Sequence, residues 1–164
     1  MKIFLRSIFS FSICLLLISQ SYAQQYSFNV GRVSASCSAS NGQPVPIYTD
    51  PSAAYFARQM GGARADFTNF GFTIAIDPGF LQGLPPLGAL FTFYHECAHV
   101  SLPMGIGLAS PMQERNADCY AVQFMRARGM IRNWRDFEQA MSAVIRSSGG
   151  HYVDVQRINA MSTC

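Results

Sequence analysis

Lysine is almost missing from this chain. Lys2 is the only one, and charged residues of every kind make up just 13% of its 164 residues. No stretch gathers the arginines into a basic cluster, which argues against a surface that tracks phosphates. Long apolar runs are scarce too. The one at Ile8–Ile18 is about 11 residues, whereas a membrane-crossing helix needs roughly 20. There is no internal repeat, no low-complexity tract and no composition break that would mark a second domain.

The apolar run sits where an export signal would. Lys2 and Arg6 precede its core, and Ser21-Tyr22-Ala23 follows with small residues at the two positions a signal peptidase reads. Residues 1–23 therefore read as a signal peptide, with 24–164 as a periplasmic or secreted chain that keeps no stable membrane anchor. Cys14 lacks a lipoprotein-type cleavage sequence, so no lipid is expected on it. Losing Lys2 and Arg6 takes twelve basic residues to ten, against nine acidic ones, and the net charge from +3 to +1. The basic isoelectric point of the whole chain thus says nothing about nucleic acid, and no nucleic-acid partner is expected. Residues 24–164 are of a size for one domain with its own core.

Four cysteines remain: Cys37, Cys97, Cys119 and Cys164. An even number in an exported chain suggests two disulfides, for which three connectivities exist. A Cys97–Cys119 bridge would staple two helices together, and a Cys37–Cys164 bridge would then join the chain ends. Burial of Cys97 and Cys119 as small hydrophobes is the plainer alternative. Metal ligation by Cys97 is a third.

Residues 24–51, rich in Ser, Gly, Asn and Pro, read as irregular with one or two short strands near Phe28–Val33 and Val45–Tyr48. Asp50-Pro51-Ser52 opens a short helix that Gly61-Gly62 ends. Phe72–Ile76 is β-branched, alternating and bounded by Gly71 and Asp77-Pro78-Gly79, the best strand in the chain; Ala63–Phe67 pairs with it through a turn around Asn69. Gly88–Leu102 reads as a long apolar helix stopped by Pro103. Ser110, Pro111 and Gln113 form a capping-box start for the next helix, which Gly129 ends. Asn133 and Asp136 open a third, with Phe137, Ala140, Met141, Val144 and Ile145 at helical spacing and Gly149-Gly150 as its stop. His151–Met161 reads as either a short helix or an extended segment. The expected fold class is α+β, with a short, mainly antiparallel sheet, an active-site helix and a second ligand-bearing helix.

The chemistry lies on the two middle helices. His95-Glu96-Cys97-Ala98-His99 sets two histidines four residues apart, on one helix face, with Cβ atoms roughly 5–6 Å apart. Two imidazoles at that spacing reach one zinc ion at about 2.0–2.1 Å. Glu96, beside them, is placed to take a proton from a water on the metal. Cys97 points roughly 160–180° away from the mean histidine direction, which disfavours it as a ligand. Fifteen residues past His99 comes Glu114-Arg-Asn-Ala-Asp118. A lone glutamate in a helix's first turn is usually a solvated charge that the helix dipole favours. Glu114 and Asp118, however, share a face at i and i+4, where like charges repel unless a cation lies between the helices. Glu114 is thus the third ligand candidate, and Asp118 a carboxylate to hold the free N–H of a ligand histidine.

The pairing of His95-Glu96-x-x-His99 with Glu114-x-x-x-Asp118 resembles the gluzincin metallopeptidases. Within them the chain is most similar to the branch that holds the CAAX prenyl proteases and their small periplasmic relatives. Ile74-Ala75-Ile76-Asp77-Pro78 leading into the motif helix, Glu114-Arg-Asn-Ala-Asp118, and His151 followed six residues later by Arg157-Ile158 carry the likeness, which covers about 72–158. The His99-to-Glu114 gap is shorter than in most of that branch, and Tyr152 stands where it has a proline. The resemblance implies one zinc ion per chain on His95, His99 and Glu114, with Glu96 as general base and Asp118 orienting a ligand histidine. It also implies His151, Arg157 and Tyr152 near the substrate and the developing oxyanion, and Thr73, Ile74 and Ala75 as an edge strand on which a peptide lies. Tyr94 and Tyr120 are further hydrogen-bond donors in the motif helices. The expected activity is zinc-dependent hydrolysis of a peptide or protein substrate. The alternative is a catalytically silent or latent zinc-binding module whose cleft holds a partner peptide.

Overall fold

Short antiparallel pairing begins the fold in the computed structural model, which describes residues 25–69, 71–102, 110–147 and 154–164. Strands β1 (Phe28–Val30) and β2 (Val33–Ala35) form a hairpin with Phe28 opposite Ala35. A two-residue strand β3 (Ile47–Tyr48) follows, so this stretch holds three strands where one or two were expected. Asp50 then caps helix α1 (Pro51–Gln59), its carboxylate accepting from the N–H groups of Ser52 and Ala53. Strands β4 (Ala63–Thr68) and β5 (Gly71–Ile76) pair as an antiparallel hairpin, as their alternation predicted.

The edge-strand expectation is corrected here. β3 adds in parallel to the far side of β5, Ile47 facing Ile74 and Tyr48 facing Ala75, with Ile74 N–H donating to Pro46 O at 2.9 Å. The sheet order is β3-β5-β4, so Thr73, Ile74 and Ala75 lie in the central strand. The β-branched run that makes this segment the clearest strand also suits it to the middle of a sheet, where Thr73, Ile74 and Ile76 are buried. Of the two outer strands, β3 is met by Gln25 at Ile47, while among the described residues no strand lies beyond β4.

Asp77 ends β5 and caps a short helix, α2 (Pro78–Gln82), read from the sequence only as a strand stop. The next helix, α3 (Pro86–Ser101), is apolar nearly all round and accordingly buried, lying against β4 and two later helices. α4 (Pro111–Ala127) starts with the full capping box of Ser110 and Gln113, and Gly129 follows its end at φ 66°. α5 (Trp134–Ser147) buries Phe137, Ala140, Met141 and Val144. Asp154 caps α6 (Val155–Met161), so the C-terminal segment is helical here. The domain is α+β, with the core centred on Phe93, Phe137, Ile74, Ile76, Met125 and Met141. Among the described residues no helix is long and apolar enough to cross a membrane. The expected signal peptide, the loop at 103–109 and Gly149-Gly150 lie outside the described residues.

Both disulfides form, but with a different pairing from the one expected. Cys37 bonds Cys97 and Cys119 bonds Cys164; Cys97–Cys119 and Cys37–Cys164 do not form. The helix geometry explains it. α4 meets the histidine face of α3, and Cys97 projects from the opposite face, where the N-terminal segment lies. Ser40 N–H donates to Val100 O there, and Ser101 Oγ donates to Ser38 O at 2.7 Å. Cys119 ties α4 to the segment after α6. Peptide mapping under non-reducing conditions should recover the Cys37–Cys97 and Cys119–Cys164 pairs. Recovery of Cys97 joined to Cys119 would contradict this arrangement.

Gly88 sets how closely α3 approaches α5. A Cβ there would lie 2.7 Å from Val144 Cγ2 and 3.3 Å from Ala140 O. A helical Gly→Ala change ordinarily stabilises by about 1 kcal/mol. Overpacking against a stiff β-branched neighbour costs about 1–3 kcal/mol and outweighs that gain. Gly88→Ala should therefore lower the thermal midpoint, and Val144→Ala added to it should recover part of the loss. A rise in the single variant would show that this contact does not limit packing.

Candidate metal centre

Two helices meet at right registers to make the centre. On α3, His95 and His99 bring their Nε2 atoms to 3.1 Å of each other. The first turn of α4 places Glu114 opposite, with Oε2 3.2 Å from His95 Nε2 and Oε1 3.3 Å from His99 Nε2. All three donor sets lie within 4.8 Å of one another, and the group could hold a metal ion. Bonds of about 2.0–2.1 Å in a tetrahedral site imply ligand–ligand separations of about 3.3 Å, so the observed spacing fits.

The donor chemistry fits as well. Buried Asp118 Oδ1 stands 2.9 Å from His95 Nδ1. A carboxylate only accepts, so Nδ1 carries a hydrogen, and in the neutral ring Nε2 presents its lone pair toward His99 and Glu114. This is the contact expected of Asp118. Behind it, Arg157 of α6 donates from Nε to Asp118 Oδ2 at 2.5 Å and from Nη2 to Oδ1 at 2.7 Å, a two-point pair, and Nη2 also reaches Glu114 Oε2 at 3.1 Å. Arg157 thus braces the two α4 carboxylates. Arg157 was expected near the substrate and the developing oxyanion; its engagement by both α4 carboxylates was not foreseen. His151 and Tyr152 lie outside the described residues.

In the metal-free protein these contacts shift the titrations. Burial opposes a charge on His95, but hydrogen bonds to Asp118 and Glu114 outweigh it and raise its pKa to about 9. Burial pushes Glu114 upward, yet its bonds to His95 and His99 hold the carboxyl well below its ordinary value. Glu96 goes the other way. Burial raises it, and the charges of His95 and His99 with the Ala65 N–H offset this only in part. That N–H, on β4, donates to Glu96 Oε2 at 2.7 Å. No side-chain pattern announces a main-chain donor, so the contact had no signal in the sequence.

Tyr94 is buried against Phe93 and packs on Phe124 across the α3–α4 interface, and Tyr120 stacks on the same Phe124 along α4. Beside Glu114, a cavity of about 230 Å³ opens between α4 and α6, walled by Pro111, Arg115, Ala160 and Met161. The chain matches no protein-family model, no curated protein and no solved structure. The reading of the centre therefore rests on its residues and their geometry.

A metal on His95 must displace the proton that its raised pKa retains, so binding should strengthen with pH. With zinc as the probe, apparent affinity should climb by about tenfold per pH unit from 7 to 9 and then level. Competition against a chromophoric chelator measures this. A flat profile over that range would show that His95 is not protonated in the free protein. His99→Ala should lose the ion at every pH.

Proposed function

We propose that the protein is an exported zinc-dependent endopeptidase of the gluzincin type. The observation that carries this is a carboxylate, Glu96, standing beside a metal-binding group of two imidazoles and one glutamate. Three protein ligands are the number found in catalytic zinc sites, whereas structural sites usually take four. Two imidazoles and one glutamate are a donor set that catalytic zinc sites use. When bound, zinc polarises a carbonyl and brings the pKa of water down toward 7.

The protein's own groups supply the rest. Glu96 takes the proton of the attacking water and passes it to the leaving amine, a role worth about 10²–10⁴-fold in rate. Its raised pKa suits a group that must both accept and release a proton. Asp118 holds His95 in the ligating tautomer, and Arg157 holds Asp118. A peptide substrate would add to the free edge of β4, by main-chain hydrogen bonds, in place of the central β5. The cavity beside Glu114 offers room for one of its side chains. Export is supported by the basic-apolar-small pattern of residues 1–23 and by two disulfides, which persist in oxidising compartments.

Glu96→Gln should keep one zinc per chain and lose cleavage of a mixed peptide library by about 100-fold or more. Cleavage equal to wild type would rule out this mechanism. If zinc-loaded wild type cuts nothing, before or after limited proteolysis, the catalytically silent binding module takes its place.

A further inference from the structure

We propose that the main-chain N–H of Ala65 is a positioning group for Glu96, and that its engagement decides which substrate carbonyl is left to react. This rests on the peptidase reading above. β4 and β5 alternate between pairs that exchange hydrogen bonds and pairs that do not. Opposite Ala65 stands Ile74, whose N–H is committed to Pro46 O on the β3 side. Ala65 therefore turns its N–H and C=O away from β5, toward the free edge. There its N–H meets Glu96 Oε2 at 2.7 Å.

The contact constrains both partners. Glu96 reaches from α3, and its neighbours on that helix are the metal-binding histidines. A donor fixed in a sheet holds one carboxylate oxygen, which orients the other without help from a mobile side chain. Orientation of this kind matters because displacing a catalytic group by about 1 Å can cost roughly 100-fold in rate. The strand is constrained as well. A peptide laid along β4 in either direction can donate to Ala65 C=O, but the carbonyl that would ordinarily accept from Ala65 N–H finds that donor taken. That carbonyl is left without a partner in the ladder, next to Glu96 and the metal-binding group. The Phe67 N–H, which faces the same way, is held by Asp66 Oδ1 at 2.8 Å, but it lies two residues farther along the strand. Of the two unmatched positions, the one beside Glu96 is the scissile one. Glu96 thus acts on the bond whose carbonyl its own hydrogen bond has set free.

Proline at position 65 removes the N–H while keeping the carbonyl, and proline is tolerated on an edge strand where the N–H points away from the sheet. Zinc-loaded Ala65→Pro should lose about tenfold or more in kcat, with KM within about twofold of wild type and zinc content unchanged. Ala65→Gly, which keeps the N–H, should stay close to wild type. Unchanged kcat in the proline variant, or an equal loss in both variants, would overturn the proposal. So would a raised KM at constant kcat, since the N–H would then be serving the substrate. Amide hydrogen exchange reads the contact without any activity. Ala65 should be protected in wild type and exchange about tenfold faster or more in Glu96→Ala, while Arg64 and Asp66, which pair with β5, stay protected. Equal exchange of Ala65 in both proteins would overturn the proposal even if the enzyme is active. Faster exchange of Ala65 in Glu96→Ala, beside a wild type that is protected there but cleaves nothing, would defeat the peptidase reading and leave the Glu96–Ala65 bond standing.

Discussion

The hydrogen bond between His95 and Asp118 is the contact on which the rest of the centre depends. It joins α3 to α4 in their buried interior, and it decides which imidazole nitrogen carries a hydrogen. With Nδ1 committed, Nε2 can only face inward, toward His99 and Glu114. Asp118 in turn would be a costly buried charge without a counter-ion, and Arg157 provides one through two parallel hydrogen bonds. A line of contacts therefore runs from α6 through α4 to the face of α3.

That line explains the disulfide that closes α6 onto α4. A helix of seven residues is too short to be stable alone. Cys119, adjacent to Asp118 in sequence, bonds Cys164 just beyond α6 and so delivers Arg157 to its carboxylates. Cys97, adjacent to Glu96, does the corresponding work on the other face of α3 by tying down the segment that follows β2. Each bridge stands one residue from a group of the centre.

The parts of this arrangement that a sequence can express are those set within one helix. His95, Glu96 and His99 share a turn, Ser110 and Gln113 announce the start of α4, and the like charges of Glu114 and Asp118 ask for a cation; all of these are local. What could not be read depends on contacts between distant segments. Ile47–Tyr48 is too short to show a strand period, so its pairing with β5, which moves the edge of the sheet to β4, left no trace. The cysteine pairing follows from which face of α3 meets α4, and counting residues along either helix does not settle that. Arg157 had a motif but no location, because its place depends on where α6 docks. The donor at Ala65 is a backbone group, the same for any residue but proline, and no alphabet of side chains records it.

An open sheet edge is also a hazard, because its unpaired N–H and C=O groups invite another copy of the chain to continue the sheet. β4 ends with exposed Phe67 at such an edge. Proteins commonly guard these edges with a charge on the strand itself. β4 has both kinds of guard: Asp66 on the strand occupies the Phe67 N–H, and the carboxylate of Glu96, from a helix, occupies the Ala65 N–H. A second β4 laid alongside would find these rungs of its ladder already filled, and would bring an anion into its own path to form the next. The contact that fixes Glu96 thus also stands in the way of sheet growth along this edge.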